Sequence, residues 1–127
     1  MAIRKIEHVG IMVRDMESSI HFYEDVLGFD VLETGTAGDV KLAFLGDRES
    51  GQVYVELIAG NPTDFPNEGR VHHLAFTVDN LEEEIERLSS LGVSFGDGTV
   101  NSLGNGSKYI FFNGPDGESL ELFQPVQ

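Results

Sequence analysis

Two histidines and two glutamates recur in this chain at a single spacing. His8 and His73 lie 65 residues apart, and so do Glu56 and Glu121 (73 − 8 and 121 − 56). Two imidazoles and two carboxylates are borderline-to-hard donors, suited to Ni, Co, Zn, Mn or Fe with water completing the shell. Carboxylates held in a concave, largely apolar cleft without a cation would pay a heavy desolvation penalty or take up protons. A lone His at a strand start or a lone Glu on a strand is ordinarily a solvated surface group. Four of them at matched offsets point instead to a shared divalent ion.

The elements that must position these residues are also written twice. His8-Val9-Gly10-Ile11-Met12-Val13-Arg14-Asp15-Met16 aligns with His73-Leu74-Ala75-Phe76-Thr77-Val78-Asp79-Asn80-Leu81, and Tyr54-Val55-Glu56-Leu57 with Ser119-Leu120-Glu121-Leu122. Ile6 to Val13 and Val71 to Val78 alternate with period two, which predicts half-buried strands. Asp15 and Asn80 are N-cap residues, and Glu83 stands at capping-box spacing from Asn80. Met16, Ile20, Tyr23 and Val26 then recur at helical spacing, as do Leu81, Ile85, Leu88 and Leu91, with Gly28 and Gly92 as stops. Three short strands follow each helix. In the first copy they are expected near Asp30 to Thr34, Val40 to Leu45 and Gln52 to Ile58. In the second they are expected near Ser94 to Phe95, Tyr109 to Phe112 and Ser119 to Gln124, with Gly96 to Gly106 as a break.

The expected fold class is therefore α+β: two tandem βαβββ modules forming a curved mixed sheet around a metal-binding cleft. Residues 1–127 read as a single domain, with repeat 1 over about 4–60, repeat 2 over about 70–125, and Asn61 to Gly69 as the linker. Strand parity assigns the faces. Val9, Ile11 and Val13 should meet the helix, with His8, Gly10 and Met12 opposite. Leu74, Phe76 and Val78 take the helix side in the repeat, with His73, Ala75 and Thr77 opposite. Glu56 and Glu121 likewise point away from the core rows of their strands. By the same parity His72 falls on the helix side as a structural residue, and His21 is an exposed helix residue without a function.

Composition narrows the partners. The chain carries 8 Lys and Arg against 22 Asp and Glu, a net charge of −14. Such a surface repels nucleic acid and anionic membranes, so neither is expected as a partner. An anionic substrate would need a locally placed cation, for which Arg70 and Lys108 are the candidates. There is no cysteine, which excludes thiolate ligands and a cysteine nucleophile and fits a cytoplasmic location. No apolar leader segment and no membrane span is expected. Open sheet edges and a shallow half-cleft favour a homodimer.

The pattern His8…Glu56…His73-Leu74-Ala75-Phe76…Asn113-Gly114-Pro115-Asp116-Gly117…Glu121-Leu122, with Phe22-Tyr23 followed by Leu27-Gly28-Phe29, resembles the vicinal-oxygen-chelate superfamily of glyoxalases, bleomycin-resistance proteins and dioxygenases. The resemblance covers nearly the whole chain. Within that superfamily bleomycin-type binders generally lack the metal residues. Extradiol dioxygenases and fosfomycin-resistance enzymes typically use two His and one Glu, corresponding to His8, His73 and Glu121. Methylmalonyl-CoA epimerases tend to have Gln at the place of Glu56, where glyoxalase I has Glu, so the ligand set is nearest to glyoxalase I.

Two positions depart from that pattern: Met12 stands where such glyoxalases usually have Arg, and Gly60 where they tend to have Asn, with Asn61 one place late. The thiol therefore stays open. The implied activity is a lactoylglutathione-lyase-like lyase/isomerase acting on a small substrate with vicinal oxygens, a thiol adduct among the candidates. It would work by carboxylate-assisted proton transfer through a metal-stabilised enediolate, with Glu121 as first choice of base and Glu56 as second. The alternatives are a metal-dependent epimerase or Fe(II) extradiol dioxygenase, and a small-molecule binding or sequestering resistance protein. The loop Gly104-Asn105-Gly106-Ser107-Lys108 is a candidate lid or acid-group binder, or simply a turn between strands.

Overall fold

In a computed structural model of the chain, describing residues 6–60, 71–103 and 105–126, the alternating segments become strands and the capped segments become helices. The chain falls into two compact units, Met1–Phe65 and Pro66–Gln127. In the first, β1 (Val9–Met12) leads into α1 (Met16–His21), which continues as a π-helical turn over Phe22–Val26 before β2 (Asp30–Ala37), β3 (Val40–Asp47) and β4 (Gln52–Ala59). In the second, β5 (Leu74–Thr77) and α2 (Leu81–Ser90) precede β6 (Asn101–Ser102), β7 (Lys108–Asn113) and β8 (Ser119–Gln124). Each unit is a four-stranded mixed sheet of one topology, β1-β4-β3-β2 and β5-β8-β7-β6. β1 runs parallel to β4 and β5 parallel to β8, while the other neighbours are antiparallel. The α+β architecture of two βαβββ modules is thus the observed one.

Local chemistry explains the helix starts. Asp15 accepts hydrogen bonds on Oδ2 from the Ser18 amide at 3.0 Å and the Ser18 hydroxyl at 2.5 Å, supplying the cap that the first turn lacks. The Ser18 side-chain bond, followed by the backbone one, holds the Asp15 carboxyl below its ordinary range. Asn80 does the same for α2, its Oδ1 accepting from the Glu83 amide at 3.0 Å. The Leu81 amide donates to Gln124 Oε1 at 2.7 Å, tying the helix to the end of β8. Gly28 and Gly92 end the helical stretches at φ 88° and 97°, a conformation that costs glycine little.

The core rows follow parity. Ile11, Val13, Ala43, Leu45, Val55 and Leu57 are buried in the first unit, with Tyr23 from the π-helical turn. Leu81, Leu88, Ile110, Phe112, Leu120 and Leu122 are buried in the second. Leu91, expected on the buried stripe of the second helix, is exposed, because α2 ends at Ser90 and Leu91 is its C-cap. The expected strand at Ser94 to Phe95 is absent: the left-handed glycines Gly92, Gly96 and Gly98 crowd that stretch and leave no room for an extended run. Its place in the sheet is taken by β6, inside the stretch expected as a break, pairing Asn101 with Tyr109 and Ser102 with Lys108. The leading strands are also shorter than expected, beginning at Val9 and Leu74, so both histidines sit immediately before their strands.

One buried group in α1 is poorly served. The Ser19 side chain is fully buried, and among the described residues its hydroxyl has no hydrogen-bond partner. An unsatisfied buried hydroxyl costs about 1–3 kcal/mol, and alanine is also the better helix former. Ser19→Ala is expected to raise unfolding free energy by about 1 kcal/mol or more, read as a higher urea midpoint at unchanged slope. Among the described residues no helix is long and apolar enough to cross a membrane.

Candidate metal centre

Register brings the polar residues of each unit together. In the first sheet Gly10 pairs with Glu56 across β1 and β4, and Phe44 pairs with Glu56 across β3 and β4. Pairing partners point to the same face, and His8, two residues before Gly10, shares it. His8 Nε2 lies 3.2 Å from Glu56 Oε1, and the Phe44 ring meets the imidazole edge-on at 5.7 Å between centroids, 83° between planes. The second sheet repeats this. Ala75 and Phe111 both pair with Glu121. His73 Nε2 lies 3.5 Å from Glu121 Oε1, and Phe111 stands against His73 at 5.0 Å and 88°.

Each unit therefore carries one imidazole, one carboxylate and one phenyl ring in the same arrangement. The residue beside each Glu on the leading strand is small, Gly10 in one unit and Ala75 in the other. A Cβ added at Gly10 would stand 3.9 Å from Glu56 Oε1 and 3.3 Å from the Ile58 side chain, so a bulky residue there would crowd the carboxylate.

The donor spacing can be tested against a cation. Bonds of about 2.1 Å separate neighbouring ligands by about 3.0 Å in an octahedral shell and about 3.4 Å in a tetrahedral one. Separations of 3.2 and 3.5 Å are close to that range, and Nε2 with a carboxylate oxygen is a fitting donor pair for a borderline divalent ion. The carboxylates lie deeper than the imidazoles: the Glu121 side chain is 9% exposed and that of Glu56 19%, against 34% for His73 and 31% for His8. Each unit offers two donors. Among the described residues no group of three or more His, Cys, Asp or Glu gathers around one point.

The remaining candidates fall out differently. Lys108, one of two cations considered for an anionic substrate, is held by Glu82 at 3.0 Å. That contact keeps the Glu82 carboxyl below its usual range. Arg70, the other, lies outside the described residues, as does Gly104 of the candidate lid loop. The rest of that loop is a hydrogen-bonded turn: Asn105 Oδ1 accepts from the Ser107 amide at 3.0 Å and its hydroxyl at 2.7 Å, and Ser107 is buried. His21 is exposed and pairs with Asp25 one helical turn on, at 2.6 Å, as a surface residue should. His72 departs from its expected place. It is exposed rather than packed on the helix side, since strand parity does not reach two residues ahead of β5. Its Nδ1 lies 2.9 Å from His73 Nδ1.

Phe44, Phe111 and His72 are the members of the site that single-strand reasoning passed over. The two phenylalanines declare themselves only through cross-strand register.

A model of the Glyoxalase/Bleomycin resistance protein/Dioxygenase superfamily matches residues 5–122. The uncharacterized protein YwbC of Bacillus subtilis (strain 168) is 42% identical over 123 residues, covering 95% of this chain and 98% of its own length. The lactoylglutathione lyase of Salmonella typhimurium is 30% identical over 124 residues, covering 94% and 92%. Among solved structures, TnmS3, an antibiotic binding protein from Streptomyces sp. CB03234, superposes with a TM-score of 0.76 at 25% identity over 99% of both chains.

Proposed function

The chain belongs to the glyoxalase/bleomycin resistance protein/dioxygenase superfamily, and from that premise we propose that it is a metal-dependent, glyoxalase I-like lyase/isomerase. It acts on a small substrate with vicinal oxygens by carboxylate-assisted proton transfer. His8, Glu56, His73 and Glu121 would together hold one divalent cation, the two His–Glu pairs coming from one chain or from two chains of a homodimer. When bound, that cation supplies Lewis-acid polarisation of the substrate oxygens, which acidifies the adjacent C–H. Glu121 then takes the proton, with Glu56 as the alternative base. The low exposure of the Glu121 side chain would slow exchange of the transferred proton with bulk water. Phe44 and Phe111 stand against the two imidazoles and limit the directions in which those rings can swing.

The observation that carries this reading is the doubled His–Glu–Phe arrangement, each unit with a donor spacing that suits a divalent ion. The 30% identity to a lactoylglutathione lyase over most of both chains supports the reaction type. The thiol is a separate matter. Met12 is exposed on the His8 side of β1 and offers no charge to a thiol's carboxylate.

The test is elemental analysis of the purified protein, then turnover of methylglyoxal adducts with several thiols of different charge, before and after chelation. Chelation should abolish turnover, and reloading with Ni, Co, Zn, Mn or Fe should restore it with a clear preference among the ions. A protein that retains no divalent ion after such loading, or isomerises none of the adducts when loaded, overturns the proposal. Iron dependence with oxygen uptake would replace it with the dioxygenase reading. The likeness to an antibiotic binding protein favours a second reading, sequestration of a small molecule without turnover. Tight binding of an unchanged ligand by metal-free protein would establish it.

A further inference from the structure

The two halves of the candidate centre differ in one respect. Both ring nitrogens of His73 face a defined partner: Nε2 looks at Glu121 Oε1 from 3.5 Å, and Nδ1 meets His72 Nδ1 at 2.9 Å. Two imidazole nitrogens at that separation share a proton, one donating and the other accepting. The His73 ring is also gripped edge-on from two sides, by His72 at 5.2 Å and 90° and by Phe111 at 5.0 Å and 88°. In the first unit the residue that precedes the histidine is Glu7, so an imidazole neighbour of this kind is a property of the second half alone.

We infer that His72 is a positioning residue: it accepts the Nδ1 proton of His73 and thereby holds the Nε2 lone pair of His73 toward Glu121, where a cation would be bound. A histidine can ligate through Nε2 only in the tautomer that carries its proton on Nδ1, and that tautomer is favoured when Nδ1–H has an acceptor. A backbone carbonyl or a carboxylate is the usual acceptor. Here it is a second imidazole, which can accept on Nδ1 in the tautomer that carries its own proton on Nε2. The arrangement would fix both the tautomer and the ring angle of His73. The proposal rests on the metal-centre reading above, and its test is built to tell the two apart.

Three proteins are compared: wild type, His72→Phe and His72→Asn. Phenylalanine keeps an aromatic ring against His73 and removes the acceptor. Asparagine restores an acceptor oxygen at about the place of Nδ1. Far-UV circular dichroism first shows that both variants are folded. Zinc and cobalt affinities are then measured by competition with a chromophoric chelator, and the His73 tautomer is read from ring ¹⁵N shifts in metal-free protein at mildly alkaline pH.

His72→Phe is expected to weaken metal binding about 10- to 100-fold, the usual effect of removing a ligand's outer partner, and to shift His73 away from the Nδ1–H form. His72→Asn should recover most of both. Equal affinities for wild type and His72→Phe would overturn the inference, as would an Nε2–H tautomer at His73 in the wild-type protein. A wild type that binds neither ion would instead sink the metal-centre reading, and the tautomer measurement would still decide the role of His72.

Discussion

Glu121→Gln is expected to lower turnover about 10²- to 10⁴-fold, the range that a positioned general base contributes. The substitution conserves shape, and a neutral amide can still fill the space beside His73, opposite Ala75 in the β5–β8 pairing. What it removes is the group able to take a proton. Melting temperature should therefore change far less than kcat, and turnover is compared at saturating metal because Glu121 is also a proposed ligand. Glu56→Gln is the informative comparison. A lyase/isomerase built on four charged and imidazole ligands should lose most of its turnover, whereas an epimerase-like enzyme should tolerate the change. Glu121→Gln retaining wild-type kcat would remove Glu121 as the base and pass the role to Glu56. Stopped-assay kinetics on the loaded proteins, with metal content measured on the same samples, decide between these outcomes.

Gly46→Ala is expected to destabilise the chain by about 3 kcal/mol or more, a large share of the roughly 5–15 kcal/mol available to a domain of this size. Gly46 is buried in β3 where the register with β4 slips between Leu45 and Gly46. A methyl group there would lie 2.0 Å from the Gln52 carbonyl oxygen and 2.9 Å from the Val53 Cα. Both obstacles are backbone, so no side-chain rotation relieves them. The two strands must separate, and the strand that moves is the one carrying Glu56. The control is Gly35→Ala in β2, where the added methyl meets nothing within 4 Å. Urea midpoints for the two variants should differ widely. A Gly46→Ala protein as stable as the control would show that the bulge can open without cost.

Much of this was legible in the residues because the physics that dictated them is local. Asp15 and Asn80 cap helices for reasons contained within four residues, and the alternating run after His8 buries Ile11 and Val13 while the run after His73 half-buries Leu74, Phe76 and Val78. Parity alone put each His on the same side as its Glu, and the 3.2 and 3.5 Å separations follow from that. What escaped was non-local. Phe44 and Phe111 reach the imidazoles through hairpin register, and the stretch between Phe and Glu is two residues longer in the first unit, so the aromatic pair falls out of step with the His and Glu repeats. Ser94 to Phe95 is not a strand, unlike its counterpart in the first module, because left-handed glycines flank it. His72 escapes the alternation because β5 begins only at Leu74.

Each sheet ends on a strand recruited from far back along the chain. β2, β3 and β4 follow one another through short turns and can zip up by local contacts, whereas β1 joins β4 in parallel only across the helix and two intervening strands. Closing so long a loop sacrifices entropy before any contact compensates it, which favours late docking of β1, and β5 meets the same obstacle on its way to β8. The histidines precede these latecomers while the glutamates wait on the strands they join. Neither His–Glu pair is assembled until its unit has almost finished folding, so an ion bound by the proposed ligands would act as a latch on folded chain rather than a seed for it.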